Sequence, residues 1–200
     1  MARIIDISPV LSDRIQVWPG EVAFFCDVNT LTTSLHVGAH ADAPAHLAPG
    51  GTTIDNVPLD VYCGPCQVMA AGVGRRGRVR PDHLFGEIRA PRVLFRTGTF
   101  PDPEVFSEDF AGLSPELAEW LSRKGVRLVG IDTPSVDPFE DRELTTHRAL
   151  GRHGIACLEG LRLDAAVPGL YTLVALPLRI AGADGSPVRA ALFPAGPLPD

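Results

Sequence analysis

Short apolar runs, each closed by Gly, Pro, Asp or Ser, recur along the whole chain. They are rich in Val, Ile, Leu and Phe and predict strands over 3–7, 22–28, 66–70, 93–96, 127–131, 155–158 and 171–176. Helical spacing is clear in one place, where Leu117, Trp120 and Leu121 share a face. Ser114 is placed to cap that helix, Pro115 suits its first turn, and Gly125 stops it. A shorter helix is predicted over 146–152, with Gly154 as its stop. With 20 Gly and 19 Pro in 200 residues, strands must be short and turns many. The pattern predicts an α/β single domain over 1–200, with a mixed, strand-rich sheet and few helices. From Phe193 on, FPAGPLPD reads as an extended, poorly packed tail.

Composition narrows the partners more than the fold. Apolar residues make up 45% of the chain, which is enough for a core. The net charge is -6, and the densest basic patch (Arg75, Arg76, Arg78, Arg80) is interrupted by glycine and reads as a solvated loop. Nucleic acid is disfavoured as a partner. MARIIDISPVL is too short and polar for a signal peptide, and no apolar run reaches membrane-span length, so the cytoplasm is expected. The four cysteines then read as reduced thiols.

The candidate chemistry is concentrated in HVGAHADAPAH, residues 36–46. His36, His40, Asp42 and His46 stand among Val, Gly, Ala and Pro only. A helix would align His36 with His40 but turn Asp42 away, and Gly38 and Pro44 oppose a regular helix. A straight strand would align all four, yet hold His36 and Asp42 roughly 20 Å apart at ~3.3 Å per residue. If the group acts together, the chain must curl. Gly38 supplies a positive φ, Pro44 fixes the exit, and the alanines leave room for backbone and ion to approach. The nitrogen and oxygen donors suit zinc, with manganese or iron as alternatives.

The stretch resembles the HxGTHxDxPxH signature of the cyclase family of metal-dependent hydrolases, and within it the bacterial kynurenine formamidases. The likeness extends to DISPVLSDRIQVWPGE near the start, VGIDTPSVDP at 129–138 and PLRIAGADGSPVRAAL at 177–192. Ala39 departs from the pattern, where the family carries Thr. The resemblance implies a swivelling β/α fold, a homodimer and two divalent ions per subunit, zinc foremost. It places His36, His40, Asp42 and Glu159 on one ion, and Asp42, His147 and Glu159 on the other. It makes His46 the catalytic proton donor and acceptor, and sets Trp18 against the substrate. The implied substrate is N-formyl-L-kynurenine, a small molecule cleaved to L-kynurenine and formate in tryptophan breakdown. A different hydrolase on the same motif, such as isatin hydrolase, and a non-catalytic metal-binding protein are the alternatives.

Other features carry less. Cys63 and Cys66 form a CxxC, but the run after it is strand-like, which opposes a thioredoxin-type site; a structural zinc would need Cys26 and Cys157 as well. His83 and His153 lack partners in any pattern and read as surface or capping residues. Trp120 belongs to a helix face and so to a core or subunit contact. Trp18 lies in a turn with little regular structure to pack on, which favours substrate contact. Asp132 opens a loop after a strand and could order a metal shell or cap a turn. ADGSP at 183–187 reads as a hairpin turn without chemistry. No G-x-S-x-G exists, which disfavours a Ser-His-Asp mechanism.

Overall fold

The computed structural model describes residues 4–27 and 29–194. In chain order the strands are β1 (Ile5–Asp6), β2 (Phe25–Asp27), β3 (Thr30–Thr32), β4 (His40–Asp42), β5 (Cys63–Ala70), β6 (Arg78–Val79), β7 (Arg92–Arg96), β8 (Gly112–Leu113), β9 (Leu128–Ile131), β10 (Ala156–Glu159), β11 (Gly169–Val174), β12 (Gly185–Pro187) and β13 (Ala191–Pro194). The α-helices are α1 (Pro44–Leu47), α2 (Pro115–Arg123) and α3 (Thr145–His153). One mixed sheet runs β1-β13-β11-β5-β7-β9-β10-β4-β12. Its centre, β5, β7, β9 and β10, is parallel, and its flanks are antiparallel.

The central strands are buried on both faces, as their unbroken apolar runs require: Val93, Leu94 and Phe95 in β7, and Leu128, Val129 and Ile131 in β9. On one face, α2 and α3 pack over Val93, Phe95, Val129, Ile131 and Cys157. On the other, Val68, Leu94, Leu128 and Leu158 meet Ile7, Tyr62, Leu163 and Leu173. Ser114 accepts a hydrogen bond from Leu117 N at 3.2 Å, the predicted cap, worth about 1 kcal/mol. Gly125 and Gly154 both take positive φ at the ends of α2 and α3, as expected of stops.

Differences from the sequence reading have local causes. The 22–28 run forms only Phe25–Asp27, and with β3 it makes a separate hairpin whose residues are all exposed. The strand expected at 3–7 shortens to Ile5–Asp6; Arg3 and Val28 lie outside the described residues. Phe193 and Pro194 are not tail: β13 pairs with β1 and β11, and residues 195–200 lie outside the described part. Residues 185–187 form no hairpin turn; they are the edge strand beside β4. Among the described residues no helix is long and apolar enough to cross a membrane.

Candidate metal centre

The 36–46 stretch is three pieces in series: a turn through Gly38, strand β4, and the single turn of α1. Gly38 has φ +57, the predicted positive angle. Its carbonyl presses on Gly160 so closely that a β-carbon at 160 would lie 2.0 Å from it. Pro44 opens α1, which carries His46. The alanines act differently from the expectation. Ala39, Ala41 and Ala43 are buried in the core on the far side of the sheet, so their small size serves packing there.

Strand pairing assembles the rest. Glu159 lies opposite His40 and Cys157 opposite Asp42 across β10–β4, so all four project on the face toward α3. His147, on α3, closes the group from above. His36 Nδ1 is 3.0 Å from Asp42 Oδ1. His40 Nε2 is 3.2 Å from Glu159 Oε2 and 3.6 Å from Asp42 Oδ1. His147 Nε2 is 3.5 Å from Asp42 Oδ2 and 3.3 Å from Glu159 Oε1. Both carboxylates therefore stand between the same two imidazoles, His40 and His147.

A cation fits this arrangement. Asp42 is fully buried, yet its Oδ2 has no hydrogen-bond partner. A buried acceptor left unpaired costs about 1–3 kcal/mol, and a charged one more. Burial would raise both carboxyls, but His147 and His36 outweigh it at Asp42, and His147 and His40 outweigh burial and Asp42 at Glu159; both are held below the usual range. Burial would lower His36, but Asp42 and then Asp184 push it up to about 9. Candidate donors of His36, His40 and Asp42, and separately those of Asp42, His46 and His147, lie within 4.8 Å of one another.

His46 is half-buried, with its ring centroid 4.3 Å from that of His36 and 5.6 Å from that of His147. Its Nδ1 contacts Asp184 Oδ2 at 3.1 Å. The centre opens on a cavity of about 350 Å³. Trp18, Phe106 and Phe139 also line it. Trp18 is not short of packing partners: distant loops bring Phe139 to 5.0 Å, Phe106 to 5.8 Å and Phe110 to 6.1 Å, centroid to centroid.

Three acidic or thiol neighbours escaped the sequence reading. Asp137 Oδ2 accepts from His147 N at 3.0 Å and meets His147 Nδ1 at 2.7 Å, while Oδ1 accepts from Thr146 N at 2.8 Å. It thus caps α3 and orients the imidazole together; standing nine residues before the predicted helix, it gave no local signal of either role. Asp184, in the segment given no chemistry, touches His36 and His46. Cys157 is buried beside Asp42 and Glu159. Arg78 is no solvated loop residue either: it pairs with Asp137 at 3.0 Å and with Asp141. Asp132 caps a loop, accepting from Thr97 N at 2.9 Å and Gly98 N at 2.8 Å, and also lines the cavity. Cys63 and Cys66 lie within β5, with no helix after them.

The Cyclase family model ("Putative cyclase") matches residues 5–138. The chain belongs to the cyclase family. That match ends short of His147, Glu159 and Asp184, which solved structures of the same fold cover. A potential metal-dependent hydrolase with cyclase activity superposes with TM-score 0.86 at 27% identity, over 98% of this chain and all of that one. A predicted metal-dependent hydrolase from Bacillus stearothermophilus gives 0.76 at 27%, over 96% and 98%. Isatin hydrolase A from Labrenzia aggregata gives 0.78 at 21%, over 96% and 93%, a likeness of fold. Cyclase-family membership agrees with the α/β, strand-rich architecture and with a cluster of imidazoles and carboxylates able to hold metal.

Proposed function

We propose that this cyclase-family chain is a zinc-dependent kynurenine formamidase (arylformamidase), hydrolysing N-formyl-L-kynurenine to L-kynurenine and formate in the kynurenine pathway of tryptophan degradation. The observation that carries the reading is one cavity lined by two unlike sets of groups: imidazoles and carboxylates, and the aromatic rings of Trp18, Phe106 and Phe139. An aryl amide needs both, a flat apolar seat for its ring and polar groups at its C–N bond.

His36, His40, Asp42, His147 and Glu159 would hold two zinc ions, Asp42 and Glu159 shared between them. When bound, such ions polarise a carbonyl and activate water. The remaining work falls to side chains. Trp18 and its aromatic neighbours bind the ring and exclude water from it. With Nδ1 turned to Asp184, His46 has Nε2 free to take a proton from the attacking water. It then gives that proton to the departing aryl nitrogen as the C–N bond breaks, since an anilide ion is a poor leaving group at neutral pH. An imidazole, with one nitrogen that accepts and one that donates, suits both directions.

A working homodimer is part of this proposal. It is supported by the β2–β3 hairpin, which leaves Phe25 and Leu31 more than half exposed (55% and 57%); two strands without a covering layer are marginal alone. Four free thiols support a reducing, cytoplasmic setting. Isatin, a cyclic aryl amide, would fit the same two sets of groups and is the competing substrate. The test is turnover of formylkynurenine against isatin by zinc-loaded protein, followed by absorbance. Preference for isatin would reassign the substrate, and zinc uptake without turnover of either would leave a metal-binding protein.

A further inference from the structure

We propose that Asp184 is a positioning residue whose carboxylate sets the tautomer of His46. Its Oδ2 lies 3.1 Å from His46 Nδ1 and its Oδ1 3.4 Å from His36 Nε2. An ionised carboxylate only accepts hydrogen bonds, so His46 Nδ1 must carry a proton. This leaves the His46 Nε2 lone pair for proton transfer. His36 faces a carboxylate at each ring nitrogen, Asp42 Oδ1 at 3.0 Å from Nδ1 and Asp184 Oδ1 at 3.4 Å from Nε2, so Asp184 steadies that ring without choosing its tautomer. Of two adjacent, tilted imidazoles, Asp184 thereby singles out His46 as the base. The distinction is needed because donor distances alone do not supply it: His46 falls within 4.8 Å of donors on Asp42 and His147.

The placement of Asp184 is built into the backbone. Its carbonyl accepts from Ala43 N at 2.8 Å, at the entry to α1, so the carboxylate and His46 are tied to one frame. The next residue, Gly185, seats the His36 ring against β12; a β-carbon there would lie 2.7 Å from Cε1. The 3.1 Å contact is a normal hydrogen bond and the 3.4 Å contact a long one, so His46 is the primary partner.

The role in proton transfer rests on the function proposed above; the tautomer assignment does not. Long-range proton–nitrogen NMR of zinc-loaded protein reads the tautomers directly, in wild type, Asp184→Asn and Asp184→Glu. Wild type should show His46 as the Nδ1–H form. Asp184→Asn should scramble His46 and lower kcat roughly 10–100-fold, with KM and zinc content nearly unchanged. Asp184→Glu should recover part of the Nδ1–H signal and of the rate. An unchanged His46 tautomer in Asp184→Asn overturns the proposal. So does zinc loss as deep as in Asp42→Ala, which would make Asp184 a ligand. Wild-type protein inactive on either substrate would sink the formamidase reading while the spectra still decide this one.

Discussion

Asp137 stands directly behind His147: its Oδ2 is 2.7 Å from Nδ1, opposite the Nε2 that faces Asp42 and Glu159. The carboxylate fixes the ring and makes its outward nitrogen a better donor. Asp137→Asn should therefore weaken zinc binding roughly 10–100-fold, measured by competition with a chelator of known affinity. Unchanged affinity would reduce Asp137 to a helix cap.

His46→Ala should keep its zinc and lose turnover by about 10²–10⁴-fold. Elemental analysis and kinetics on one preparation separate the two effects. Full activity would remove His46 from the chemistry, and loss of zinc would move it among the ligands.

Zinc should raise the melting temperature of wild type but not of Asp42→Ala. A ligand at a hundredfold excess over its Kd adds about 2.7 kcal/mol of stability. The buried Asp42 Oδ2 makes no hydrogen bond and has His147 Nε2 no nearer than 3.5 Å, so a cation there would relieve its desolvation. An equal zinc-induced shift in both proteins would contradict its place at the centre.

Gly185→Ala tests the seat of His36. The added carbon, 2.7 Å from His36 Cε1, must displace the ring. Zinc affinity should fall while the metal-free variant melts close to wild type. A variant with wild-type zinc affinity would show that the ring position is uncritical.

Arg78→Gln should change the acid limb of stability. Burial raises Asp141, but the Thr145 hydroxyl and Arg78 outweigh it and hold the carboxyl below its usual value. A depressed carboxyl stabilises the fold above its unfolded value of ~3.9, and this is lost as pH falls through the folded value. The variant should be about 2 kcal/mol less stable than wild type at neutral pH, with the gap narrowing in acid. Urea denaturation of metal-free protein at pH 7 and near pH 3 measures this; a gap that widens toward acid would reverse the sign.

Much of the site was legible because its chemistry is crowded. Histidines and an Asp too close for either regular periodicity forced a curl, and Gly38 supplies it. The α2 helix was legible because Ser114, Pro115 and Gly125 each act within a few residues. What escaped was long-range. Asp184 reads as turn material until β12 is seen to lie beside β4, and Arg78 as a loop cation until Asp137 and Asp141 close over it. The alanines misled for a related reason: a strand has two faces, and their role is on the face away from the histidines.

β4 has a consequence for biosynthesis. The strand that bears His40 and Asp42 pairs only with β10 and β12, whose residues follow it by more than a hundred positions. Such distant pairings form late, because the loop between them must close first. A ribosome that has released only the first 150 residues has displayed most of the histidines but not Glu159 or Asp184. The nascent chain thus carries imidazoles with Asp42 and Asp137 but without the carboxylates that β10 and the segment before β12 supply. Capture of metal in the proposed arrangement must await synthesis of Glu159.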